Sequence, residues 1–330
     1  MQQSTLKKLS EVLGISISTV SRALKDHPDI SAATKKKVKE LAIALEYEPN
    51  SSAVQLRTRQ SNILGILVPT INNYFYDSFI SAVEEDARLH GYSVMIMQSR
   101  DSADIEATNL QLFRKNMVMG VFAAISTQTE SMEAFDKLEN LNIPIVFVDR
   151  VPQTGEYYRV CMADEFSAKL IAETIIEKKK KNVLALFGHP HLSLSHIRLE
   201  AFTEVFRRQS PETNIMIEHP EVIEESEKVT LRYLQSNTRP DVIFCMGDLI
   251  LIGVMNAIHH LGLKVPNDIA VISISNGFIP TLYNPKITHV ETSGYTLGKQ
   301  ASQQMFRRLK NEQAEQMIIV ESKLVQGGSI

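Results

Sequence analysis

The chain has 330 residues, of which 44% are hydrophobic, and a formal net charge of −3. This length and composition suit two or three ordinary globular cores rather than one. Its start does not resemble a secretory signal, and no apolar run approaches the roughly 18 residues that a membrane span needs. We therefore expect a cytoplasmic protein with no membrane segment.

The charges are unevenly distributed along the chain. Residues 1–60 contain ten basic and six acidic residues, whereas the remainder contains 25 and 32. The first sixty residues could therefore face a polyanion, although a lysine run such as that at residues 35–39 is usually a solvated helix face.

The first elements are three short helices between Leu6 and Tyr47. Gly14 suits the end of the first helix, Ser16 or Ser18 can cap the second, and Ser31 can cap the third. The apolar positions at helical spacing are Leu6, Leu9, Val12, Leu13, Val20, Ala23, Leu24, Val38, Leu41, Ala42 and Leu45. A polar linker follows, in which Pro49 and Asn50 can start a helix of about two turns.

After Ser61, short apolar runs alternate with amphipathic segments, a pattern that predicts parallel sheets in an α/β fold. The predicted strands are Asn62–Pro69, Tyr92–Gln98, Gly120–Ile125, Ile143–Asp149, Asn182–Gly188, Asp241–Gly247 and Ile269–Ser275. The clearest predicted helices are Asp77–His90, Phe166–Lys178, Ser195–Gln209 and Leu249–Leu261. Because these strand–helix units are too many for one sheet, we expect two similar α/β subdomains with a cleft between them.

The second helix has the form of a DNA-recognition helix. Such a helix is short, presents polar residues to the major groove and is set at a fixed angle by a small residue in the turn. Within ISISTVSRAL, Val20, Ala23 and Leu24 would face inward, while residues 17, 18, 21 and 22 would project outward. An outward arginine can donate two hydrogen bonds to guanine. The spacing alone is also compatible with a generic three-helix cap that carries an exposed serine-rich helix.

The segment LKKLSEVLGISISTVSRALKDHPDIS, followed by YEPNSSAVQLRT, resembles the N-terminal signature of the lactose-repressor (LacI/GalR) family. The resemblance extends along the chain, through GILVPTINNYFYDSFISAVEEDARLHGY, FCMGDLILIGVMNAIHHLGLKVPNDIAVISIS and ITHVETSGYTLGKQASQQMFRRL. It implies a ligand-responsive, sequence-specific regulator of transcription, expected to be a repressor, that binds a palindromic double-stranded DNA operator as a homodimer.

The resemblance also implies which residues contact DNA. Ile17, Ser18 and Arg22 would read bases, and the residues available for phosphates are Thr5, Ser16, Thr19, Ser21 and Asn50. A hinge helix at Asn50–Arg57 would pair with its dimer mate in the minor groove and insert Leu56 between base steps, with Ala53 beside it. The alternative is that Leu56 packs on the sensor domain.

The implied architecture is a helix-turn-helix domain (1–48), a hinge helix or linker (49–60) and a ligand-sensing domain (61–330). The sensor would be a two-lobed, periplasmic-binding-protein-like (type I) α/β fold with parallel sheets. Lobe 1 would comprise about 61–160 and 293–320, and lobe 2 about 161–292 and 321–330.

Effector contacts are expected from loops at the carboxyl ends of strands, where open α/β sheets leave a crevice. The candidates are Asn73, Tyr74, Phe75, Asp149, Arg150, Arg198, Asp248 and Asn276. Carboxylates, amides and arginines can bind sugar hydroxyls while an aromatic ring covers the apolar sugar face. The family usually has Asn in place of Gly247, and Asp–Asp in place of Ser275 and Asn276, so the sugar-binding pattern is incomplete.

Other functions fit the sequence less well. We find no nucleophile elbow, Gly-rich phosphate loop or spaced carboxylate pair, so we expect no enzyme, catalytic residue or cofactor. His189, His191 and His196 lack the spacing of a metal site. Cys161 and Cys245 lie in apolar segments and should be buried. A transport solute-binding protein is a remote alternative. We expect the effector to be a sugar or sugar derivative, with a nucleobase, a phosphometabolite or a partner protein as the alternatives.

Overall fold

The computed structural model describes residues 6–47 and 61–330. The chain divides into two compact units between Gln60 and Ser61. In these two stretches, no helix combines the length and apolar character that crossing a membrane requires.

The first unit contains the three predicted helices, α1 (Leu6–Leu13), α2 (Ile17–Leu24) and α3 (Ala32–Ala44). Gly14 follows α1 with a φ of 62°, a left-handed conformation that glycine adopts without the steric penalty of a side chain. Ser16, rather than Ser18, caps α2, and its hydroxyl accepts a hydrogen bond from the Thr19 N–H at 3.1 Å. Ser31 caps α3 in the same way, so both predicted caps are confirmed.

A small apolar core joins these helices. Its buried members are Leu9, Val20, Ala23, Val38 and Ala42. The grouping of Val12 with the core positions is wrong, since its side chain is 59% exposed. The buried stripe of α1 runs through Leu6, Leu9 and Leu13, and Val12 lies on the far side of Leu9 from the other two, about 100° per residue around the helix.

The second unit contains two six-stranded sheets, each forming the centre of one lobe. The first sheet has the strands β1 (Ile63–Val68), β2 (Ser93–Gln98), β3 (Gly120–Ala123), β4 (Ile145–Val148), β5 (Tyr158–Met162) and β11 (Met317–Val320). Their order is β11-β5-β4-β3-β1-β2, and all neighbours are parallel. The helices of this lobe are α4 (Tyr74–Leu89), α5 (Ala103–Lys115), α6 (Glu133–Glu139) and α11 (Gly294–Leu309).

The second sheet repeats this arrangement with one antiparallel edge. Its strands are β6 (Asn182–Leu186), β7 (Asn214–Glu218), β8 (Val242–Cys245), β9 (Ala270–Ser275), β10 (Thr288–Glu291) and β12 (Lys323–Val325). The order is β12-β10-β9-β8-β6-β7, and only the short β12 runs antiparallel, to β10. The helices are α7 (Asp164–Glu177), α8 (Ser193–Gln209), α9 (Ile223–Leu234) and α10 (Asp248–His260).

The chain passes between the lobes after β5, after β10 and after β11. Because β5 continues to Met162, the first passage comes slightly after the approximate boundary at residue 160. The central strands are fully buried, as in β8 and β9, which is expected when helices cover both faces of a parallel sheet. Residues at the carboxyl ends of strands in both sheets face the space between the lobes.

Candidate nucleic-acid interface and effector cavity

The polar face of α2 projects from the first unit as predicted. Ile17 is 47% exposed, and Ser18 and Arg22 are also exposed, whereas Val20 and Ala23 are fully buried. Buried anchors on one side of a two-turn helix fix the direction of the side chains on the other. Arg22 forms no ion pair with any described residue, so its guanidinium is available for an external acceptor.

The hydroxyl groups on this face form a small cluster at the start of α2. Ser16 Oγ lies 2.7 Å from Ser18 Oγ and 2.8 Å from Thr19 Oγ1, while Ser21 and Thr19 are half-buried. Thr5, Asn50, Ala53 and Leu56, together with the predicted hinge helix, lie outside the described residues, so their roles stay predictions.

A cavity of about 350 Å³ lies where the strand ends of the two lobes face each other. Lobe 1 contributes residues that follow β1, β2, β3 and β4, and lobe 2 contributes residues that follow β6, β7, β8 and β9. The lining residues are Thr70, Asn73, Phe75, Tyr76, Asp101, Thr127, Asp149, Arg150, Gly188, His189, Leu192, Leu194, Arg198, Glu221, Val222, Met246, Gly247, Asp248, Leu249, Ile250, Ile274, Ser275, Asn276 and Thr292. This volume is in the range of small-molecule pockets.

Seven of the eight predicted effector residues line this cavity, and Tyr74 does not. Asn73 caps α4 by accepting a hydrogen bond from the Phe75 N–H at 2.9 Å. Successive helical residues point about 100° apart, so Phe75 turns inward while the Tyr74 ring, 43% exposed, contacts the Phe278 ring with centroids 5.2 Å apart. The Tyr74 side chain thus lies outside the cavity lining, and its contact with an effector stays a prediction.

Both arginines of the cavity already have carboxylate partners. Arg150 Nη1 donates to Asp101 Oδ1 at 2.6 Å. Arg198, whose side chain is 8% exposed, donates through Nε and Nη2 to Asp164 Oδ1 at 2.8 and 2.6 Å. Its Nη1 donates to the Met246 carbonyl at 3.1 Å. Neither guanidinium therefore brings an unbalanced positive charge to the cavity.

Two further carboxylates lack a cationic partner among the described residues. Asp149 Oδ2 accepts a hydrogen bond from the Tyr76 hydroxyl at 2.7 Å. Asp248 accepts from the Ser275 hydroxyl and from the Asn276 N–H at 3.2 Å. Burial raises the pKa of Asp248, and these two hydrogen bonds oppose that rise. The cavity is thus acidic on balance.

Several lining residues were missed by the sequence reasoning, notably Asp101, Tyr76, Thr127 and Glu221. Asp101 and Glu221 follow β2 and β7, so the same rule of strand carboxyl ends could have found Asp101. Glu221 could not be found in this way because β7 was not predicted. Tyr76 lies in the first turn of α4, and its side chain is 2% exposed.

Two histidines that follow β6 lie beside glutamates. His189 Nε2 lies 3.8 Å from Glu221 Oε1, and His196 pairs within α8 with Glu200 at 3.6 Å. No group of three or more metal-binding side chains was found among residues 6–47 and 61–330. Both cysteines are free and buried, as predicted.

Comparison with known proteins identifies both units. Residues 5–50 match the family described as bacterial regulatory proteins, lacI family, and residues 172–330 match a periplasmic binding protein-like domain. The ribose operon repressor of Halalkalibacterium halodurans is 27% identical over 309 residues, which cover 94% of this chain and 91% of that protein. Catabolite control protein A of Priestia megaterium is 23% identical over 321 residues, which cover 96% of this chain and 95% of that protein.

The fold is shared with solved structures. The lac repressor dimer bound to operator and the anti-inducer ONPF superposes with a TM-score of 0.89 at 20% identity, over 99% of both chains. A LacI family regulator from Enterococcus faecium with bound ribose gives a TM-score of 0.73 at 18% identity, over 81% of this chain and 98% of that one. The predicted two-lobed α/β fold class is thereby confirmed. The chain thus combines a helix-turn-helix domain of the lacI family of bacterial regulatory proteins with a periplasmic-binding-protein-like domain.

Proposed function

We propose that the protein is an effector-responsive repressor of transcription, which binds a palindromic operator as a homodimer and takes a sugar in the interlobe cavity. The observation that carries this proposal is the combination, in one chain, of an exposed recognition helix and a polar cavity between two lobes. Such a regulator acts in the cytoplasm and needs no catalytic group. A solute-binding protein for transport would have no use for the first unit.

Sequence-specific binding would rest on α2. Ile17 can contact a thymine methyl group, and Ser18 and Arg22 can reach base edges in the major groove. Ser16, Thr19 and Ser21 would hold phosphates, with Thr5 and Asn50 as further candidates. The two-turn hinge helix predicted at Asn50–Arg57 is too short to be stable alone in water, so we propose that it folds when a partner chain and DNA hold it.

The charges in the cavity favour an uncharged sugar over a phosphorylated one. Arg150 and Arg198 are each paired with a carboxylate, and Asp149 and Asp248 add two carboxylates that form no ion pair with a described residue. A phosphate would enter an acidic, partly buried site and would have to displace an existing ion pair. A neutral polyol can instead donate hydroxyl hydrogens to Asp149, while the Phe75 ring lies against an apolar face.

The relatives support this assignment by their names, which include ribose operon repressors from two organisms and a regulator solved with bound ribose. We propose that effector binding shifts the balance between lobe arrangements and so the spacing of the two hinge helices on DNA. Such coupling needs only a few kcal/mol.

The DNA-binding part can be tested by fluorescence anisotropy on an operator selected from a random-sequence duplex pool. Arg22→Ala should weaken specific binding by about 1–3 kcal/mol, roughly 5- to 150-fold, while leaving non-specific binding nearly unchanged. Lys36→Ala is the matched control, because Lys36 is an exposed cation on α3 that lies 3.9 Å from Glu40. Equal losses in both variants would contradict recognition by α2.

Leu56→Ala tests the predicted hinge helix. Wild-type affinity for the operator in that variant would contradict the insertion of Leu56 between base steps.

The effector class can be tested by thermal shift over monosaccharides, disaccharides, sugar phosphates and purines. Binding to the native state raises the melting temperature by mass action. We expect stabilisation by a neutral sugar and none by its phosphate. A shift with the phosphate or with a purine alone would contradict the neutral-sugar assignment, and no shift with any of them would favour a protein partner.

A further inference from the structure

Asn276 follows β9 in lobe 2, and its side chain reaches into lobe 1. The Nδ2 group donates to the Tyr74 carbonyl at 3.2 Å. The Oδ1 atom accepts from the Gly294 N–H at 3.0 Å and lies 3.2 Å from the Ser78 hydroxyl, whose single hydrogen is shared with the Phe75 carbonyl at 3.0 Å. The amide oxygen and one amide hydrogen are thus used within the protein, which leaves little of this side chain for an effector.

These contacts differ from the other side-chain polar contacts of residues 61–330, which stay within one lobe. Wherever a side-chain hydrogen bond or ion pair joins lobe 1 to lobe 2 in residues 61–330, Asn276 is one partner. The ring contact of Tyr74 with Phe278 lies beside it, again between the first turn of α4 and the segment after β9. One small patch at the edge of the cavity therefore contains the side-chain polar contacts that join the lobes in residues 61–330.

The partners of Asn276 are brought together by a close helix contact. A Cβ atom at Gly294 would lie 2.1 Å from the Phe75 carbonyl oxygen, so the start of α11 can approach the first turn of α4 only because residue 294 has no side chain. The backbone of Asn276 is fixed within lobe 2, because its N–H donates to Asp248 Oδ2 at 3.2 Å. Both sides of the contact are thus fixed by their own lobes.

We propose that Asn276 is a latch between the lobes, a positioning residue that sets the balance between lobe arrangements instead of an effector contact. An aspartate, which the family resemblance leads one to expect here, would keep the two donors on its oxygens but would set a carboxylate oxygen against the Tyr74 carbonyl. The hydrogen bond to the Tyr74 carbonyl therefore requires an amide side chain at position 276. This role rests on the proposed function only where it concerns DNA affinity.

Hydrogen–deuterium exchange of the full chain tests the latch without DNA or effector. Asn276→Ala should speed exchange by about tenfold or more in peptides covering residues 73–79 and 293–297, since the Gly294 N–H loses its acceptor and the lobes open more often. Asn276→Asp should show a smaller increase at 293–297, because that acceptor remains. Asn116→Ala is the control, since Asn116 bonds only the Leu112 carbonyl of its own helix.

Unchanged exchange in Asn276→Ala, or an increase spread evenly over the sensor unit, would overturn the latch. The affinity for an operator duplex, measured by anisotropy without small molecules, should also change by about fivefold or more in Asn276→Ala. Faster local exchange with unchanged affinity would overturn the link to DNA binding. If the wild-type protein bound no DNA, the proposed function would fail, and the exchange result would still decide the latch.

Discussion

Replacing Arg198 by methionine tests how the sensor unit tolerates a buried, unpaired charge. The side chains of Arg198 and Asp164 are 8% and 11% exposed, and the guanidinium makes all its observed bonds to Asp164 and the Met246 carbonyl. Breaking a buried ion pair by removing one partner costs about 3–5 kcal/mol, because the other charge is left without compensation. We expect Arg198→Met to lose about this much stability at neutral pH.

The assay is urea denaturation of the sensor unit, with Arg208→Met as the matched control. Arg208 lies on the same helix, 75% exposed, and pairs with Glu204 one turn away. An exposed pair of this kind contributes about 0.5 kcal/mol or less. A loss below about 1 kcal/mol in Arg198→Met, or an equal loss in the control, would refute the assignment of Arg198 and Asp164 as a buried charge pair.

The same variant should respond to pH. Burial raises the pKa of Asp164 above its usual value, and Arg198 opposes that rise. Without Arg198 the folded-state pKa moves further above the unfolded one, so the folded state binds the proton more tightly than the unfolded state does. Destabilisation is then full above the folded-state pKa and fades as pH falls toward the unfolded value. A deficit that stays constant on acidification would contradict this account.

Three smaller predictions follow from single contacts. Ser16→Ala should destabilise the first unit by about 1 kcal/mol in thermal unfolding, since its hydroxyl caps α2; an unchanged midpoint would contradict the cap. Gly294→Ala should cost about 1–3 kcal/mol in urea, because the new Cβ meets the Phe75 carbonyl. Cys161 and Cys245 should react with a thiol reagent only after unfolding, since burial raises both pKa values, that of Cys161 to about 12.

Most central strands were predictable because a parallel sheet covered on both faces requires continuous apolar runs. Among the edge strands, β2 was predicted, but β7, β11 and β12 were not, and the interior strands β5 and β10 were also missed. No residue of β7 is buried, and in β11 exposed positions alternate with less exposed ones, so that Met317 and Ile319 remain more than half exposed. A short strand with this pattern cannot be distinguished from a loop or a helix turn by periodicity, because only its neighbour in the sheet gives it a structure.

The effector residues were found by a topological rule rather than by their own chemistry. Asp149, Arg150 and Asp248 follow parallel strands, whose carboxyl ends meet at one edge. The rule could not tell which of Tyr74 and Phe75 faces the cavity, because the direction of each side chain depends on the residue at which the helix begins. It could not find the pairing of Arg150 with Asp101 either, since the two residues approach only after β2 and β4 have taken their places in the sheet.

One wall of the cavity differs from the family pattern in a way that bears on what the cavity can hold. A Cβ atom at Gly247 would meet nothing within 4 Å, so the missing side chain leaves space that no other residue fills. At Ser275, the hydroxyl donates to Asp248 and accepts from the Gly277 N–H, so it offers much less than a carboxylate would. This wall therefore gives volume in place of hydrogen bonds, and under the proposed function the polar selection of the effector would rest with Asp149 and its neighbours in lobe 1. We expect the preferred sugar to present its hydroxyls to lobe 1 and an apolar substituent to Gly247.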